Sequence, residues 1–270
     1  MKKLHIIMPM AGEGKRFKDK GYDVPKPLIK LDGVELYRHA INSLFTVDDL
    51  PFDNSDFYKV EVNYTFIVRK EFIDDYHIDE DIHKYYPNAN VISVEKTTRG
   101  ALETVMLARP YIDEQIEALL VMDCDFEFYC PKYLHSIKEE LHNNDSYPML
   151  MTFYSTRPIY SFVEPASDCR TRGIRVVEKE AISSYAIAGC YFLGNAERFF
   201  KCADKVVKDF DKGKLKSKEL YISLVYNYLM DNIGFPIRIV DMNFHTDKLW
   251  SYNVPEDLEK FNKEKSIWDA

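Results

Sequence analysis

Two glycines and an arginine stand close together after the first apolar run of the chain. Segment 9–17 reads PMAGEGKRF, with Gly12, Gly14 and Arg16 in the pattern G-x-G-x-R. Glycines let a backbone turn sharply and aim its N–H groups at an anion, and a guanidinium adds a permanent, planar positive charge that suits phosphate oxygens. The segment is not a Walker A loop, and Phe17 stands where a dinucleotide fingerprint has its third glycine. We therefore interpret it as a phosphate loop of another kind; the alternative is an ordinary strand-to-helix turn.

A lysine between two prolines favours the phosphate interpretation. Lys26 lies ten residues after Arg16 and is flanked by Pro25 and Pro27. Prolines on both sides restrict the backbone to a stiff, extended course. Such rigidity serves a catalytic cation and is of no use to a lysine that only faces solvent. We therefore predict Arg16 and Lys26 as catalytic residues, the alternative for Lys26 being an ordinary surface lysine.

These residues need a framework in which strands alternate with helices. Short apolar runs predict strands, and apolar residues at helical spacing predict helices. The predicted strands are 4–10, 64–68, 91–94, 118–122, 148–153 and 185–193. The predicted helices are 35–44, 76–86, 101–108, 131–142, 196–210, 218–231 and 255–262. The alternation predicts an α/β fold with a mainly parallel central sheet flanked by helices.

The carboxyl ends of the strands are the expected site of function. Ligands of parallel sheets bind at that edge, and the loops after Met10 and Met122 both fall there. The stretch 154–173 is richer in polar residues and is predicted to be an irregular excursion. Since the chain has no repeat, low-complexity tract or obvious linker, we predict a single domain over residues 1–270.

The composition limits the class of function. A formal net charge of −8 argues against general affinity for nucleic acid or an anionic membrane, because both need a basic surface. No apolar run approaches the length of about 18 residues expected of a membrane span, and the N-terminus lacks the apolar region of a signal peptide. The five cysteines form no CxxC pair, which argues against zinc and predicts free thiols in a reducing, cytoplasmic setting. The sequence indicates no oligomeric state.

The G-x-G-x-R loop followed by 25–28 (PKPL) resembles the sugar-phosphate nucleotidyltransferases, also called nucleotide-sugar pyrophosphorylases. Further matches follow in family order at 100–104 (GALET), 121–125 (VMDCD), 178–179 (EK), 188–192 (AGCYF), 219–221 (ELY), Trp250 and 255–258 (PEDL). The resemblance covers nearly the whole chain. It implies a Rossmann-like nucleotidyltransferase (GT-A-like) fold, with a nucleotide-binding half of about 1–145 and an acceptor-binding half of about 146–270.

The resemblance also implies an activity and its participants. An NTP would transfer its NMP to a small phosphorylated acceptor, in the first place a sugar phosphate, and pyrophosphate would leave. Mg²⁺ would be the cofactor, and surface polysaccharide precursor synthesis the setting. Neither nucleic acid nor membrane is expected as a partner.

Individual residues receive roles from the same resemblance. Arg16 would contact the triphosphate and Lys26 the α-phosphate, because two polyanions approach each other only beside fixed cations. Asp125 would hold Mg²⁺ through carboxylate oxygen; Asp123 would join it if the preceding strand ends at Met122, the alternative being a structural hydrogen bond. The implied nucleotide-binding residues are Ala11, Gly12, Gly14, Lys15, Gly100 and Ala101, and the implied acceptor-binding residues are Glu178, Lys179, Gly189 and Glu219.

Several of these assignments have structural alternatives. Glu178 and Lys179 are also compatible with a surface ion pair, and Glu219 with an exposed carboxylate at a helix start. Cys124 stands between two aspartates, which oppose a thiolate, so nucleophilic catalysis by this residue is not expected.

The closing segment departs from the family pattern. Asn253 and Val254 stand where the family has Gly-Thr, and no second metal-binding aspartate stands at Ser251 or Tyr252. Together the two replacements remove the glycine, which permits close approach of a ligand, and the threonine hydroxyl, and they add bulk. Four arginines in and beside the polar excursion are a candidate grip for an anionic acceptor: Arg157, Arg170, Arg172 and Arg175. We therefore expect an acceptor other than plain glucose 1-phosphate.

Three other functions remain open on the sequence. The first is a cytidylyltransferase that acts on a phosphorylated compound that is not a sugar. The second is a glycosyltransferase, because 123–125 (DCD) is a D-x-D motif, although such enzymes have no reason to carry the N-terminal loop and PKPL. The third is a nucleotide-binding module without catalysis, which the altered closing segment would permit.

Overall fold

The computed structural model describes residues 3–45, 60–142, 146–234 and 236–260. The strands are β1 Lys3–Met10, β2 Lys30–Leu31, β3 Val34–Glu35, β4 Val62–Arg69, β5 Asn90–Val94, β6 Glu117–Met122, β7 Phe126–Tyr129, β8 Met149–Tyr154, β9 Ser161–Ala166, β10 Cys169–Glu178, β11 Tyr185–Asn195, β12 Ile237–Asp241 and β13 Lys248–Ser251. The helices are α1 Lys15–Lys18, α2 Leu36–Asn42, α3 Lys70–Tyr76, α4 Ile78–Tyr85, α5 Ala101–Met106, α6 Pro131–His142, α7 Ala196–Asp211 and α8 Leu224–Ile233. A helical segment at 255–260 follows β13.

A nine-stranded sheet in the order β5-β4-β1-β6-β11-β8-β12-β10-β9 forms the centre of the fold. The neighbours β5, β4, β1 and β6 are all parallel, as are β8 and β12. The other neighbouring pairs, which involve β11, β10 and β9, are antiparallel. The sheet is therefore mixed, and the predicted mainly parallel arrangement holds for its first four strands only. Beyond β6 the chain also uses antiparallel returns such as β9–β10, which need no crossover helix.

The parallel strands are buried on both faces, which explains their continuous apolar sequences. All six residues of β6 are buried. Leu120 and Met122 pack into the apolar cluster beneath α2, α3, α4 and α6, whereas Leu119 and Val121 pack into the cluster beneath α5, α7 and α8. Successive side chains of β6 thus point to opposite faces of the sheet, and each face packs against its own layer of helices.

The predicted strands are all present, with ends within two residues of the expected positions. The prediction of an irregular excursion at 154–173 is wrong, because β9 and the first half of β10 lie there. The polar sequence of β10 reflects its position next to the last strand, β9, where most of residues 169–175 are exposed. The short strands β7 and β13 and the strand β12 were not predicted.

Two helix predictions needed correction, and one extends beyond the described residues. The helix predicted at 218–231 begins only at Leu224. Helix α4 is preceded by a separate helix, α3, and His77 between them adopts a left-handed conformation with φ 51°. The last helix is described for 255–260, and positions 261–262 of its prediction lie outside the described residues. Within the described ranges, no helix combines the length and the apolar character that a membrane crossing requires.

Candidate active site

The glycine loop connects β1 to the short helix α1 at the carboxyl edge of the sheet. Gly14 has φ 61° and ψ 25°, a left-handed conformation that glycine adopts without strain. Phe17 is buried, and its N–H donates to the Gly14 carbonyl at 2.9 Å. This anchor leaves Arg16 exposed beside a cleft of about 480 Å³. We name this space the loop cleft; its lining includes Gly12, Gly14, Lys15, Arg16, Lys26 and Asp125.

Lys26 is held rigidly on the wall of the loop cleft. Pro25 is extended, and a short 3-10 turn follows at Lys26–Leu28. The ammonium of Lys26 lies 4.9 Å from the ring centroid of Phe17 and 2.5 Å from Oδ2 of Asp125. Only 15% of the Lys26 side chain is exposed. The two prolines therefore hold a partly buried cation against a carboxylate rather than a lysine free in solvent.

Asp123 and Asp125 enter the same cleft because β6 ends at Met122. The N–H of Asp123 donates to the Gly189 carbonyl at 2.8 Å. A Cβ at position 189 would stand 2.4 Å from Oδ2 of Asp123, so only glycine leaves room for this carboxylate. Burial, together with the negative charge of Asp125, raises the pKa of Asp123 well above its ordinary value. The same causes raise the pKa of Cys124 far above its ordinary range, in agreement with the prediction that this thiol stays protonated.

The two carboxylates are chemically suited to Mg²⁺. This cation is commonly bound by one or two carboxylates, with water and substrate phosphates as its other ligands. Among the described residues there is no group of three or more metal-ligating side chains, so this chain offers the pair and not a complete cage. Two carboxylates at close quarters, with Lys26 as their nearby cation, favour a further positive charge. The donor set fits Mg²⁺ in the presence of a phosphate substrate.

A second cleft of about 610 Å³ is also lined by these carboxylates. We name it the outer cleft. It shares Arg16, Asp123, Asp125 and Asn253 with the loop cleft, and its own lining includes Lys179, Gly189, Arg157, Tyr160, Tyr191 and Asp257. The two spaces therefore meet at the acidic pair. Two substrates bound one in each cleft would approach each other beside Asp125 and Arg16.

Glu178 and Lys179 differ in their access to the outer cleft. Lys179 lines it and adopts a left-handed backbone with φ 54°, whereas the Glu178 carboxylate accepts hydrogen bonds from the hydroxyls of Ser161, at 2.5 Å, and Ser223. The predicted alternative of a surface ion pair is therefore wrong for Glu178. Glu219 is exposed and lies outside the lining of both clefts.

Comparison with solved structures gives the same fold over nearly the full chain. A nucleoside-diphosphate-sugar pyrophosphorylase from Vibrio cholerae RC9 is 23% identical, with a TM-score of 0.73, over 96% of this chain and 99% of the other. The inositol-1-phosphate CTP transferase from T. maritima is 18% identical, with a TM-score of 0.67, over 98% and 95%. The fold is that of the nucleotidyltransferases. No protein-family model and no curated protein matches the chain.

The nucleotidyltransferase fold brings the GA turn at 100–101 toward the loop without placing it in either lining. Gly100 immediately precedes α5 with φ 150°, and a Cβ there would stand 2.5 Å from the Leu220 carbonyl oxygen. The hydroxyl of Thr97 donates to the Glu13 carboxylate at 3.3 Å, which ties the segment before Gly100 to the glycine loop. Ala11 is buried in the core and offers only its backbone. Gly100 therefore has a packing role of its own beside any contact with a nucleobase.

The predicted grip of four arginines is wrong. Arg172 pairs with Asp168 at 2.6 Å and Arg175 with Glu164 at 2.9 Å, on the outer strands of the sheet. Arg170 does not line the outer cleft, and Arg157 alone of the four does. Arg170, Arg172 and Arg175 all lie on β10, where they are exposed to solvent.

Sequence reasoning also missed part of the lining. Phe153 and Tyr160 form an edge-to-face pair with centroids 5.0 Å apart in the outer cleft, and Asp257 joins them from the helical segment at 255–260. These residues come from separate elements, and no spacing in the sequence connects them. The altered residues Asn253 and Val254 line this cleft, so the departure from the family pattern changes its lining.

Proposed function

We infer that this chain is a Mg²⁺-dependent nucleotidyltransferase that joins the NMP part of an NTP to a small phosphorylated acceptor and releases pyrophosphate. The observation that carries the proposal is the meeting of the two clefts at Arg16, Asp123 and Asp125, with Lys26 fixed against Asp125. Two adjacent spaces that share cations and carboxylates suit two phosphate-bearing substrates. The likeness to solved nucleotidyltransferases supports the assignment.

The chain's own residues supply position and charge. The glycine loop offers backbone N–H groups and Arg16 to the triphosphate, and Lys26 lies where positive charge would stabilise the α-phosphate during attack. An acceptor phosphate oxygen attacks the α-phosphorus while pyrophosphate leaves from the opposite side, so no covalent enzyme intermediate is needed. Fixed cations reduce the repulsion between the two polyanions.

Asp125 and Asp123 are the residues that would hold Mg²⁺. When bound, the ion neutralises phosphate charge and orients the triphosphate. Gly189 keeps the space that the Asp123 carboxylate occupies. The proposed division of labour follows the lining: residues of 1–145 dominate the loop cleft, and residues of 146–270 dominate the outer cleft, with Lys179 toward the acceptor phosphate.

We place the acceptor outside plain glucose 1-phosphate, among less common sugar phosphates or other small phosphorylated compounds of a surface-polysaccharide pathway. Asn253 and Val254 occupy the outer cleft with more bulk than Gly-Thr, beside Arg157 and the Phe153–Tyr160 pair. The fold also accommodates a phosphorylated cyclitol in the inositol-1-phosphate CTP transferase, so a CTP-dependent reaction on a non-sugar acceptor belongs to the same proposal. The five free cysteines are compatible with a cytoplasmic setting.

A matrix of substrates tests the proposal. CTP, UTP, dTTP and GTP are each combined with Mg²⁺ and with hexose 1-phosphates, inositol 1-phosphate or glycerol 3-phosphate, and pyrophosphate release is measured. We expect one NTP and one acceptor class to dominate. If glucose 1-phosphate reached a kcat/KM of about 10⁴ M⁻¹s⁻¹ and no acceptor exceeded it, the acceptor proposal would be wrong and the nucleotidyltransferase proposal would stand.

The same matrix separates the competing functions. A glycosyltransferase would release no pyrophosphate from an NTP and would instead consume a nucleotide-sugar. A binding module would retain NTP without releasing pyrophosphate, which equilibrium binding of the same four nucleotides would detect.

A further inference from the structure

One tyrosine outside both clefts touches the lysine that we assign to the acceptor. The ammonium of Lys179 donates to the hydroxyl oxygen of Tyr221 at 2.6 Å and lies 4.8 Å from the centroid of its ring. Tyr221 does not line the outer cleft, whereas Lys179 does. The tyrosine therefore reaches the cleft through the lysine only.

The backbone on both sides of Tyr221 is held by buried neighbours. Leu220 and Ile222 are 0% and 3% exposed, so they pin the backbone on both sides. Leu220 also donates its N–H to the Arg99 carbonyl at 3.0 Å and accepts from the Leu102 N–H at 2.8 Å. This pairing attaches the 219–223 segment to the start of α5. Because its backbone is constrained, Tyr221 can hold the flexible Lys179 side chain in one place.

The same segment holds both residues of the EK motif. Ser223 donates its hydroxyl to the Glu178 carboxylate, and Tyr221, two residues earlier, accepts from Lys179. Lys179 has φ 54°, and its N–H donates to the Tyr160 carbonyl at 3.0 Å, so its backbone is also constrained. A lysine carries several rotatable bonds and loses rotamer freedom when it is ordered. The two anchors order it before a ligand arrives.

We propose that Tyr221 is a positioning residue that holds the Lys179 ammonium in place for the acceptor phosphate, an inference that rests on the proposed function. Because Tyr221 acts through Lys179 alone, its contribution should vanish when the lysine is absent. Loss of the Tyr221 hydroxyl should leave the KM for the NTP unchanged, because we propose that the NTP binds in the loop cleft.

A double-mutant cycle tests the inference with the NTP and the acceptor that give the fastest pyrophosphate release in the matrix above. We expect Tyr221→Phe to lower acceptor kcat/KM about 10-fold, the usual effect of losing a hydrogen bond to a charged group, and to leave the NTP KM within about twofold. In the Lys179→Ala background, Tyr221→Phe should have no further effect. Tyr228→Phe is the matched control, because it removes a hydroxyl bonded to Asp209 outside both clefts.

A labelling measurement tests the contact without turnover. The hydrogen bond to Tyr221 is the main cause that raises the pKa of Lys179. Removing it should increase the neutral amine, so acetylation of Lys179 by acetic anhydride, read by peptide mass spectrometry, should rise about threefold relative to the exposed Lys201.

The outcomes separate this inference from the function on which it rests. Unchanged acceptor kcat/KM and unchanged labelling in Tyr221→Phe overturn the positioning role, as does an equal loss with and without Lys179. Absence of pyrophosphate from every substrate pair overturns the proposed function, while labelling still reports on the contact itself.

Discussion

The amino and carboxyl ends of strand β6 carry carboxylates in opposite situations. At the amino end, Glu117 is buried and accepts hydrogen bonds from the Asn63 side chain at 2.5 Å and the Asp113 N–H at 2.9 Å. Its Oε2 lies 3.2 Å from Nδ1 of His5, whose other nitrogen lies 2.8 Å from the Thr65 hydroxyl. Although burial opposes its ionisation, these hydrogen bonds lower the pKa of Glu117.

At the carboxyl end, the chain leaves its carboxylates with few partners. Among the described residues, none donates a hydrogen bond to the Asp123 carboxylate, and only Lys26 donates to the Asp125 carboxylate. Burial and mutual repulsion raise the pKa of Asp123 rather than lowering it. The contrast separates a carboxylate that protein groups satisfy from a pair that they leave largely unsatisfied, as our proposal of a cation and a phosphate at that pair requires. The two ends should therefore respond differently to substitution.

The largest effect is expected from Asp125, the carboxylate that we propose as the main Mg²⁺ ligand. Asp125→Asn should lower pyrophosphate release about 10³-fold, because the divalent ion contributes several kcal/mol of charge stabilisation. Treatment with EDTA should abolish turnover of the wild-type chain, and added Mg²⁺ should restore it. EDTA-treated protein that turns over at full speed would contradict the metal requirement. An active Asp125→Asn beside an inactive Asp123→Asn would assign the main ligand to Asp123 instead.

Removal of a cation should come next. Lys26→Ala or Arg16→Ala should lower kcat about 10²–10³-fold, the usual cost of losing one preorganised charge contact, with little change in thermal unfolding. Lys18→Ala is the control, because this exposed lysine pairs with Glu71 outside the loop cleft. Near-wild-type pyrophosphate release by Lys26→Ala would remove the basis of the assignment.

A methyl group at position 189 should disturb the site through geometry alone. Gly189→Ala would place a Cβ 2.4 Å from Oδ2 of Asp123 and so push this carboxylate aside. A misplacement of about 1 Å in a site costs about 10²-fold in rate. Gly194→Ala also meets a close contact, 2.5 Å from the Ser146 carbonyl oxygen, but outside both clefts. The first variant should lose activity while folded, and the second should lose stability while the folded fraction keeps its kcat. Equal losses of kcat in Gly189→Ala and Gly194→Ala would contradict a specific role of Gly189 in the site.

The smallest effect on catalysis is expected at the amino end. Glu117→Ala should lower the free energy of unfolding by about 1–3 kcal/mol, because buried donors lose their acceptor, and should leave kcat unchanged. Since the folded pKa of Glu117 lies below its ordinary value of 4.5, its ionisation stabilises the fold above that pH and the contribution is lost as the pH falls through the folded pKa. Urea unfolding of the wild type and of Glu117→Ala, measured from neutral pH to about pH 3, should show the difference in their free energies of unfolding shrinking as the pH falls.

A matched surface variant completes that comparison. Glu61→Ala removes an exposed pair with Lys3 near the same end of the sheet and should leave the free energy of unfolding unchanged. A Glu117→Ala protein as stable as Glu61→Ala, or one that lost kcat, would contradict the structural role of the amino end.

The sequence predicted the parts of the molecule that depend on local pattern. Continuous apolar runs such as β6 and the G-x-G-x-R loop carry their signal within a few residues, and the positions of Arg16, Lys26 and Asp125 in one cleft follow from strand ends at one edge. Edge strands, short ribbons and the Phe153–Tyr160 pair depend on partners distant in the chain, which a single sequence does not connect. The arginine grip failed for a different reason. Asp168 and Glu164 lie only 4 and 11 residues from Arg172 and Arg175 and pair with them once β9 and β10 form, and those two strands were not predicted.

The most direct test follows the α-phosphate. The wild-type chain is incubated with Mg²⁺, the preferred acceptor from the substrate matrix and the matching NTP labelled with ³²P at the α or the γ position. We expect the α label in the acceptor product and the γ label in pyrophosphate, in equal amounts. Label released as free NMP or inorganic phosphate, or no transfer from any of the four NTPs, would contradict the claim that the two clefts join two phosphate-bearing substrates.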